Sequence, residues 1–134
     1  MTAPIIEREG RLVSVRFIGG ITDDELQGML EALEGFIDDP ALRPAFVFDV
    51  SKGVVPPASQ RQTMGAWLRD HAPTIGENCV AAAYVLPNAA LRGMLTAIFW
   101  MASHPIPHHE CKTVGEARAW ARSQLQRPSA APSL

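Results

Sequence analysis

The first forty residues combine β-branched apolar segments with an apolar stripe of helical period. Residues 5–18 hold two such segments separated near Gly10, which is typical of partly buried strands and predicts a β-hairpin. Thr22 and Glu25 have the spacing of a capping box and predict the start of a helix. The apolar residues of that helix recur every three or four positions and so share one face: Leu26, Met29, Leu30, Leu33, Phe36 and Ile37.

The middle of the chain alternates buried-strand patterns with a helical one. Residues 45–50 and 79–86 are apolar at odd and even positions alike, which predicts strands covered on both faces. Between them, the capping-box spacing that starts at Ser59 predicts a second helix, which we expect to end at Pro73 and Gly76.

Three signals predict the remaining elements. Asn88 can cap a third helix, residues 108–112 predict an edge strand, and Thr113 opens a fourth helix. The order β-β-α-β-α-β-α-β-α predicts a single layered α/β domain over residues 1–126, with about five strands in a mixed sheet and about four helices. We expect parallel strands after the hairpin and a disordered tail over residues 127–134.

Composition and charge exclude several classes of protein. The 134 residues, 14.5 kDa, suffice for one domain, and 47% apolar against 19% charged residues predicts a globular chain. Twelve basic and fourteen acidic residues give a net charge of −2 with no basic run, so we expect no nucleic-acid partner.

Hydropathy and cysteine content indicate the compartment. The longest strongly apolar stretch is shorter than the ~20 residues that span a bilayer, and no secretory signal pattern is present, so we expect a cytoplasmic protein without membrane insertion. Cys79 and Cys111 are then expected to be reduced. Ten Arg against two Lys, with abundant Ala and Pro, suggests a GC-rich bacterial genome.

Residues 49–51 end a strand as Asp-Val-Ser, and together with the following loop and helix and the capping segment 113–120 they resemble the STAS superfamily, whose type members are bacterial anti-sigma-factor antagonists. The resemblance extends to about Leu125. It implies a regulatory or scaffolding domain that acts through protein–protein interaction, without enzymatic activity or cofactor. The family's regulatory site usually reads Asp-Ser-Ser/Thr-Gly, whereas residues 57–60 read Pro-Ala-Ser-Gln, so the match is closer to divergent members that lack the phosphorylation site.

Two serines are candidate phosphorylation or anion sites. Ser59 stands at a predicted helix N-terminus, where the backbone N–H groups and the helix dipole favour negative charge. The alternative is that Ser59 is only an N-cap bonded to the N–H of Gln62. Ser51, at a strand end, is the second candidate.

Asp49, Ser51 and Trp67 are the candidate ligand residues of an alternative function, a small-ligand carrier or sensor. Open α/β sheets bind ligands at the carboxyl ends of their strands, where Asp49 lies. An acid at this position can instead bond loop amides. A third interpretation pairs Asp49 with His71 as the acid and base of an enzyme.

The third predicted helix carries more apolar residues than one face can hold. Its surplus, a candidate protein interface or homodimer contact, consists of Ile98, Phe99, Trp100 and Met101. The alternative is that the sheet and the last helix bury these residues from two sides.

One short segment concentrates the potential metal ligands His104, His108, His109 and Cys111. Their spacing is not that of a zinc module, and a strand would direct His108 and His109 to opposite faces. We therefore predict no metal.

Overall fold

The computed structural model describes residues 3–127, apart from the side chains of residues 100 and 101. The elements follow the predicted order β-β-α-β-α-β-α-β-α. They are β1 (Ile5–Glu9), β2 (Leu12–Gly19), α1 (Asp23–Ile37), β3 (Ala45–Gly53), α2 (Ala58–Asn78), β4 (Ala81–Val85), α3 (Ala89–Met101), β5 (His108–Cys111) and α4 (Val114–Gln126). Most of the predicted tail, residues 128–134, lies outside the described residues.

The five strands form one mixed sheet in the order β1-β2-β3-β4-β5. β1 pairs with β2 antiparallel, as the hairpin prediction requires, and every later pair is parallel. Residues 45–50 were predicted to form a strand covered on both faces, and β3 occupies the middle of the sheet. The strands therefore lie in the sheet in the same order in which they occur in the sequence. Hydrophobic periodicity does not predict this order.

Helices cover both faces of this sheet, and the residues of β3 alternate between them. Ala45 and Val47 pack in a cluster with Ala117 and Ala121 of α4. Phe46 packs on the opposite face in a larger cluster, whose helical members come from α1 and α2. Helix α3 also covers this second face, where its Leu91 and Leu95 pack against Val50. We call the face that carries Ala45 and Val47 the α4 face, and the face that carries Phe46 the three-helix face.

The predicted caps of three helices are present. The Thr22 side chain accepts from the backbone N–H of Glu25, and the Glu25 carboxylate accepts from that of Thr22, which completes the capping box. Asn88 caps α3. Thr113 caps α4, but the Glu116 carboxylate accepts from the N–H of Lys112 instead of that of Thr113.

The predictions for α2 are wrong at both of its ends. Pro57, not Ser59, is the N-cap, and no side chain caps the helix. Proline fits there because its fixed φ matches the extended cap geometry and it has no N–H to satisfy. At the other end the helix passes through Pro73 and ends at Asn78. The last turn is held by the buried Ile75, whose contacts offset the hydrogen bond that Pro73 removes.

No helix among the described residues is both long enough and apolar enough to cross a membrane.

Candidate functional site

A cavity of about 150 Å³ lies within the three-helix face. Phe46 and Phe48 of β3 and Tyr84 of β4 line it from the sheet, while Trp67 of α2 and Phe99 of α3 line it from the helices. Its lining is almost entirely apolar. We call this space the inner cavity.

Aromatic rings form a continuous row along the sheet side of the inner cavity. The rings of Phe46 and Phe48 stack with centroids 5.8 Å apart, and those of Phe48 and Tyr84 stack at 5.2 Å. Phe99 meets Tyr84 edge to face at 5.8 Å. Such offset and edge-to-face contacts are the favoured geometries of aromatic pairs.

Trp67 carries an unused hydrogen-bond donor. Its indole Nε1–H is buried, and no side chain or backbone group of the described residues accepts from it. The ring itself stacks on His71 with centroids 4.5 Å apart. A buried donor without an acceptor costs about 1–3 kcal/mol of desolvation.

His104, which follows α3, is an ionisable residue in the wall of the inner cavity. Burial, followed by the charge of His108, lowers the pKa of His104 to about 4, so the ring is neutral at physiological pH. Its Nδ1 lies 3.4 Å from the backbone nitrogen of Ile106. Its Nε2 lies 2.9 Å from the hydroxyl oxygen of Tyr84.

A second space, the outer cleft, lies at the carboxyl ends of β2 and β3 and has a volume of about 470 Å³. Phe17, Val50, Met64 and Met94 line both the inner cavity and the outer cleft and form the partition between them. This partition consists of apolar side chains only, two of which are flexible methionines.

Gln60 holds the outer cleft in shape. Its side-chain amide nitrogen donates to the carbonyl of Ile21 at 2.9 Å and to the carboxylate of Asp23 at 3.0 Å. These bonds join the start of α2 to the start of α1. Gln60 is only 5% exposed. The capping-box spacing at Ser59 includes Gln60 but does not reveal this role, because no local pattern identifies a glutamine whose partners lie 37 and 39 residues away.

The loop after β3 exposes apolar side chains beside the outer cleft. Val54 is 55% exposed and Val55 41%, although valine is normally a core residue. Ser59 is exposed in the first turn of α2, just beyond this loop, and its hydroxyl does not cap the helix.

The structure separates the three residues of the predicted ligand site. Asp49 shares its strand parity with Ala45 and Val47 and so belongs to the α4 face, whereas Trp67 packs on the three-helix face. The Asp49 carboxylate accepts from the backbone N–H of Ser51 at 3.0 Å and from its hydroxyl at 2.6 Å. Asp49 thus bonds its own loop, and of the three residues Trp67 lines the inner cavity whereas Asp49 and Ser51 do not.

The structure also separates Asp49 from His71. The His71 ring nitrogens lie 2.8 Å from the carbonyl oxygen of Trp67 and 3.0 Å from the carboxylate of Glu34. These partners belong to the three-helix side of the sheet, away from Asp49. An acid–base pair built from Asp49 and His71 is therefore not assembled.

The four residues predicted as an interface have different positions. Ile98 is 5% exposed and forms part of the core. Phe99 is half-buried and contacts the rings of Tyr84, His104 and His108. The side chains of Trp100 and Met101 lie outside the described residues.

Three potential metal ligands meet at the sheet edge on the α4 face. Ligand atoms of His109, Cys111 and Glu116 all lie within 4.8 Å of one another. Burial, and then the charge of Glu116, raises the pKa of the Cys111 thiol, which keeps it protonated. His108 projects to the opposite face and stacks on His104, as the strand parity predicted. Glu116 was not among the predicted metal ligands. Its position three residues after Thr113 is that of a capping box, which suggests a helix cap and not a ligand.

Comparison with known proteins gives structural matches only. No protein-family model matches the sequence, and no curated protein sequence matches it. An uncharacterised protein of the DUF3478 family from Shewanella loihica, with a SpoIIAA-like fold, is 15% identical with a TM-score of 0.63, over 89% of this chain and 92% of that one.

Two anti-sigma factor antagonists are also similar. Unphosphorylated SpoIIAA is 14% identical with a TM-score of 0.64, over 90% of this chain and 98% of that one. An anti-sigma factor antagonist from Mycobacterium paratuberculosis is 17% identical with a TM-score of 0.55, over 89% of this chain and 92% of that one. The predicted resemblance is therefore confirmed for the fold: the chain has a SpoIIAA-like fold.

Proposed function

We propose that this chain is a non-catalytic bacterial regulatory domain that works in the cytoplasm by binding another protein. The observation that carries the proposal is the exposure of Val54 and Val55 in the loop after β3. Exposed apolar side chains gain free energy when a partner covers them, and for each of these half-covered valines the gain is about half of the roughly 1.5–3 kcal/mol that burial of a fully exposed valine gives.

The surroundings of these valines support a binding surface. The loop borders the outer cleft, and Ser59 presents an exposed hydroxyl in the first turn of α2 beside it. A phosphate on Ser59 would add negative charge at a helix N-terminus that has no acidic side chain in its first turn. Ser51 is the less favourable site for modification, since its hydroxyl donates to Asp49.

The fold suggests which partner to test first. Two of the similar structures are anti-sigma factor antagonists, so an anti-sigma factor is the partner class we propose. The absence of catalysis is supported by the separation of Asp49 from His71, each of which is bonded to residues of its own face of the sheet.

The test is affinity capture from cytosol with three forms of the immobilised chain: the wild type, a Val54→Ser/Val55→Ser variant and a Val114→Ser variant. Val114 is the matched control because it is 40% exposed at the start of α4, on the other side of the sheet. A partner retained by the wild type and by Val114→Ser should bind the double variant about tenfold or more weakly. A partner held equally by all three forms would contradict the proposal.

We also propose that the chain forms a homodimer through α3. Among the described side chains of this helix, the exposed ones are one charged residue, Arg92, and small residues that allow close approach: Ala89, Ala90, Gly93, Thr96 and Ala97. Ala97→Arg should shift the sedimentation coefficient to that of a monomer, while Ala119→Arg, exposed on α4, should leave it unchanged. A wild type that sediments as a monomer at high concentration would overturn the dimer.

A further inference from the structure

The histidines and the cysteine of residues 104–111 are divided between the two faces of the sheet. His108 stacks on His104 on the three-helix face. His109 and Cys111 are two residues apart in β5, so their side chains project together to the α4 face. The prediction of no metal treated the four residues as one set, and in the structure this pair forms a set of its own.

Glu116 brings a third donor group to this pair from the first turn of α4. Its backbone N–H donates to the hydroxyl of Thr113, which fixes its position in the helix. Its carboxylate accepts from the backbone N–H of Lys112 at 3.1 Å through Oε2, and Oε1 takes no part in that bond. The carboxylate is thereby held next to the end of β5, where ligand atoms of His109, Cys111 and Glu116 all lie within 4.8 Å of one another.

The separation of the three donor atoms is close to the separation that a bound metal requires. A tetrahedral zinc ion with ligands about 2.0–2.3 Å away holds its donor atoms about 3.3–3.8 Å apart. Small side-chain rotations close this difference, because His109 and Glu116 are exposed and can move toward the buried Cys111. The same exposure gives an ion a route from solvent to the sulfur atom.

The contacts of His109 leave its ring nitrogens able to bind a metal. The imidazole stacks on the indole of Trp120 in α4, with ring centroids 5.4 Å apart and 27° between the planes. A stacked partner covers the face of a ring, whereas a metal binds a nitrogen in the ring plane, so the two contacts are compatible. Stacking therefore orients the ring without occupying its ligand atoms.

The chemistry of the donor set favours zinc. An imidazole nitrogen, a thiolate sulfur and a carboxylate oxygen are all zinc ligands, whereas magnesium and calcium prefer oxygen alone. On binding, the sulfur–metal bond forms as the S–H bond of Cys111 breaks and its proton leaves to solvent, with no change of oxidation state. The ion supplies the positive charge that a thiolate buried beside Glu116 needs.

We propose that His109, Cys111 and Glu116 bind a zinc ion that joins β5 to the start of α4, with a water molecule as the fourth ligand. β5 is a four-residue strand at the edge of the sheet, so the ion would fasten this edge to the helix that covers it. None of the three residues lines the inner cavity or the outer cleft, so the site does not depend on the proposed protein contact.

The test titrates the reduced, untagged chain with Co²⁺, which occupies zinc sites and reports a thiolate ligand by a charge-transfer absorption band. The wild type should show a saturable band that an equivalent of Zn²⁺ removes. Cys111→Ser should abolish the band, because it removes the sulfur. Cys79→Ser is the matched control and should keep the band, since Cys79 is equally buried but packs on the three-helix face.

The two exposed ligands provide variants that do not disturb the core. His109→Ala and Glu116→Gln should each weaken Co²⁺ binding at least about tenfold, the effect that loss of even an outer-shell partner can have. Glu116→Gln retains an oxygen that can accept from the N–H of Lys112, so the start of α4 is preserved. His108→Ala, on the same strand but the opposite face, should bind Co²⁺ as the wild type does.

Circular dichroism establishes that each variant is folded, and the two exposed variants decide the matter if Cys111→Ser is not. The proposal is overturned if the wild type shows no charge-transfer band up to about 1 mM Co²⁺. It is also overturned if the band persists in a folded Cys111→Ser variant, or if His109→Ala and Glu116→Gln bind Co²⁺ as tightly as the wild type.

Discussion

His104 and His108 stack their imidazole rings with centroids 4.3 Å apart, beside the hydroxyl of Tyr84. A proton on His104 would lose water contacts and face the charge of its neighbour, and these two effects lower the pKa of His104 from 6.5 to about 4. The unfolded chain, in contrast, binds this proton near the ordinary value of about 6.5.

Stability should therefore fall with acid in a defined window. Between pH 6.5 and about 4 the unfolded chain binds the His104 proton and the folded chain does not, so the free energy of unfolding decreases as the pH decreases through this range. Thermal unfolding from pH 7.5 to 4 should show a steeper loss for the wild type than for His104→Gln. His109→Gln, exposed on the other face, should retain the wild-type slope. Equal slopes for the wild type and His104→Gln would refute the explanation.

Gly53 should not tolerate a side chain. A Cβ atom there would lie 2.8 Å from Cγ1 of Val50 and 3.3 Å from Cβ of Phe17, where the register between β2 and β3 shifts. Gly53→Ala should reduce the free energy of unfolding in urea by about 1–3 kcal/mol. Gly28→Ala, in the middle of α1 with open space around it, should increase that free energy by about 0.5–1 kcal/mol. A Gly53→Ala variant as stable as the wild type would show that β3 shifts at no cost.

Gln60 should contribute to stability through its two hydrogen bonds to the start of α1. Gln60→Met keeps the length of the side chain and leaves the carbonyl of Ile21 without this donor, so the loss should be about 1–3 kcal/mol in chemical denaturation. The exposed Gln62 provides the control, since Gln62→Met should change stability little. If both variants behave alike, the link between α1 and α2 has no energetic role.

Negative charge at Ser59 should stabilise α2. The first turn of this helix has no acidic residue and no side-chain cap, so no side chain offsets the partial positive charge of its N-terminus. Ser59→Glu should exceed the neutral Ser59→Gln in stability by about 0.3–1 kcal/mol at low salt. The difference should shrink in high salt, because ions screen exposed charges. A difference that is unaffected by salt would point to a cause other than charge.

Neither cysteine should react quickly with a thiol reagent in the folded chain. Burial raises the pKa of Cys79 to about 12 despite the opposing charge of Arg43, and burial followed by Glu116 raises that of Cys111. The two belong to clusters on opposite faces of the sheet and are both free thiols. Titration at neutral pH should therefore detect two thiols only after unfolding. Rapid reaction in the folded state would contradict the burial of these groups.

Local signals were sufficient for most of the fold. Each of three predicted caps lies just before an apolar stripe of helical period, and its side chain accepts a backbone N–H of the first turn: Thr22, Asn88 and Thr113. At α2 the same kind of signal failed, because Pro57 occupies the cap position two residues before Ser59. The rule that proline ends a helix failed at Pro73, because tertiary packing stabilises the turn that follows.

The site could be predicted only in part. Side chains alternate between the two faces of a strand, so Asp49 must share a face with Ala45 and Val47 and lie opposite to Phe46. The sequence therefore already implied that Asp49 is on the other side of the sheet from the aromatic residues of the inner cavity. The inner cavity could not be predicted from the sequence, because its volume depends on how side chains from four or more elements pack together. The orphan N–H of Trp67 is likewise a property of its three-dimensional surroundings.

The sheet order β1-β2-β3-β4-β5 has a consequence for how the chain is made. Each strand pairs with the strand synthesised just before it. In a nascent chain that leaves the ribosome, the strand with which the next one pairs has therefore always been synthesised already. Synthesis proceeds at about 5–20 residues per second, slowly enough for the β1–β2 hairpin to form before β3 emerges. The edge of the growing sheet is covered in turn by each new strand, which shortens the time for which it is open to pairing with other chains.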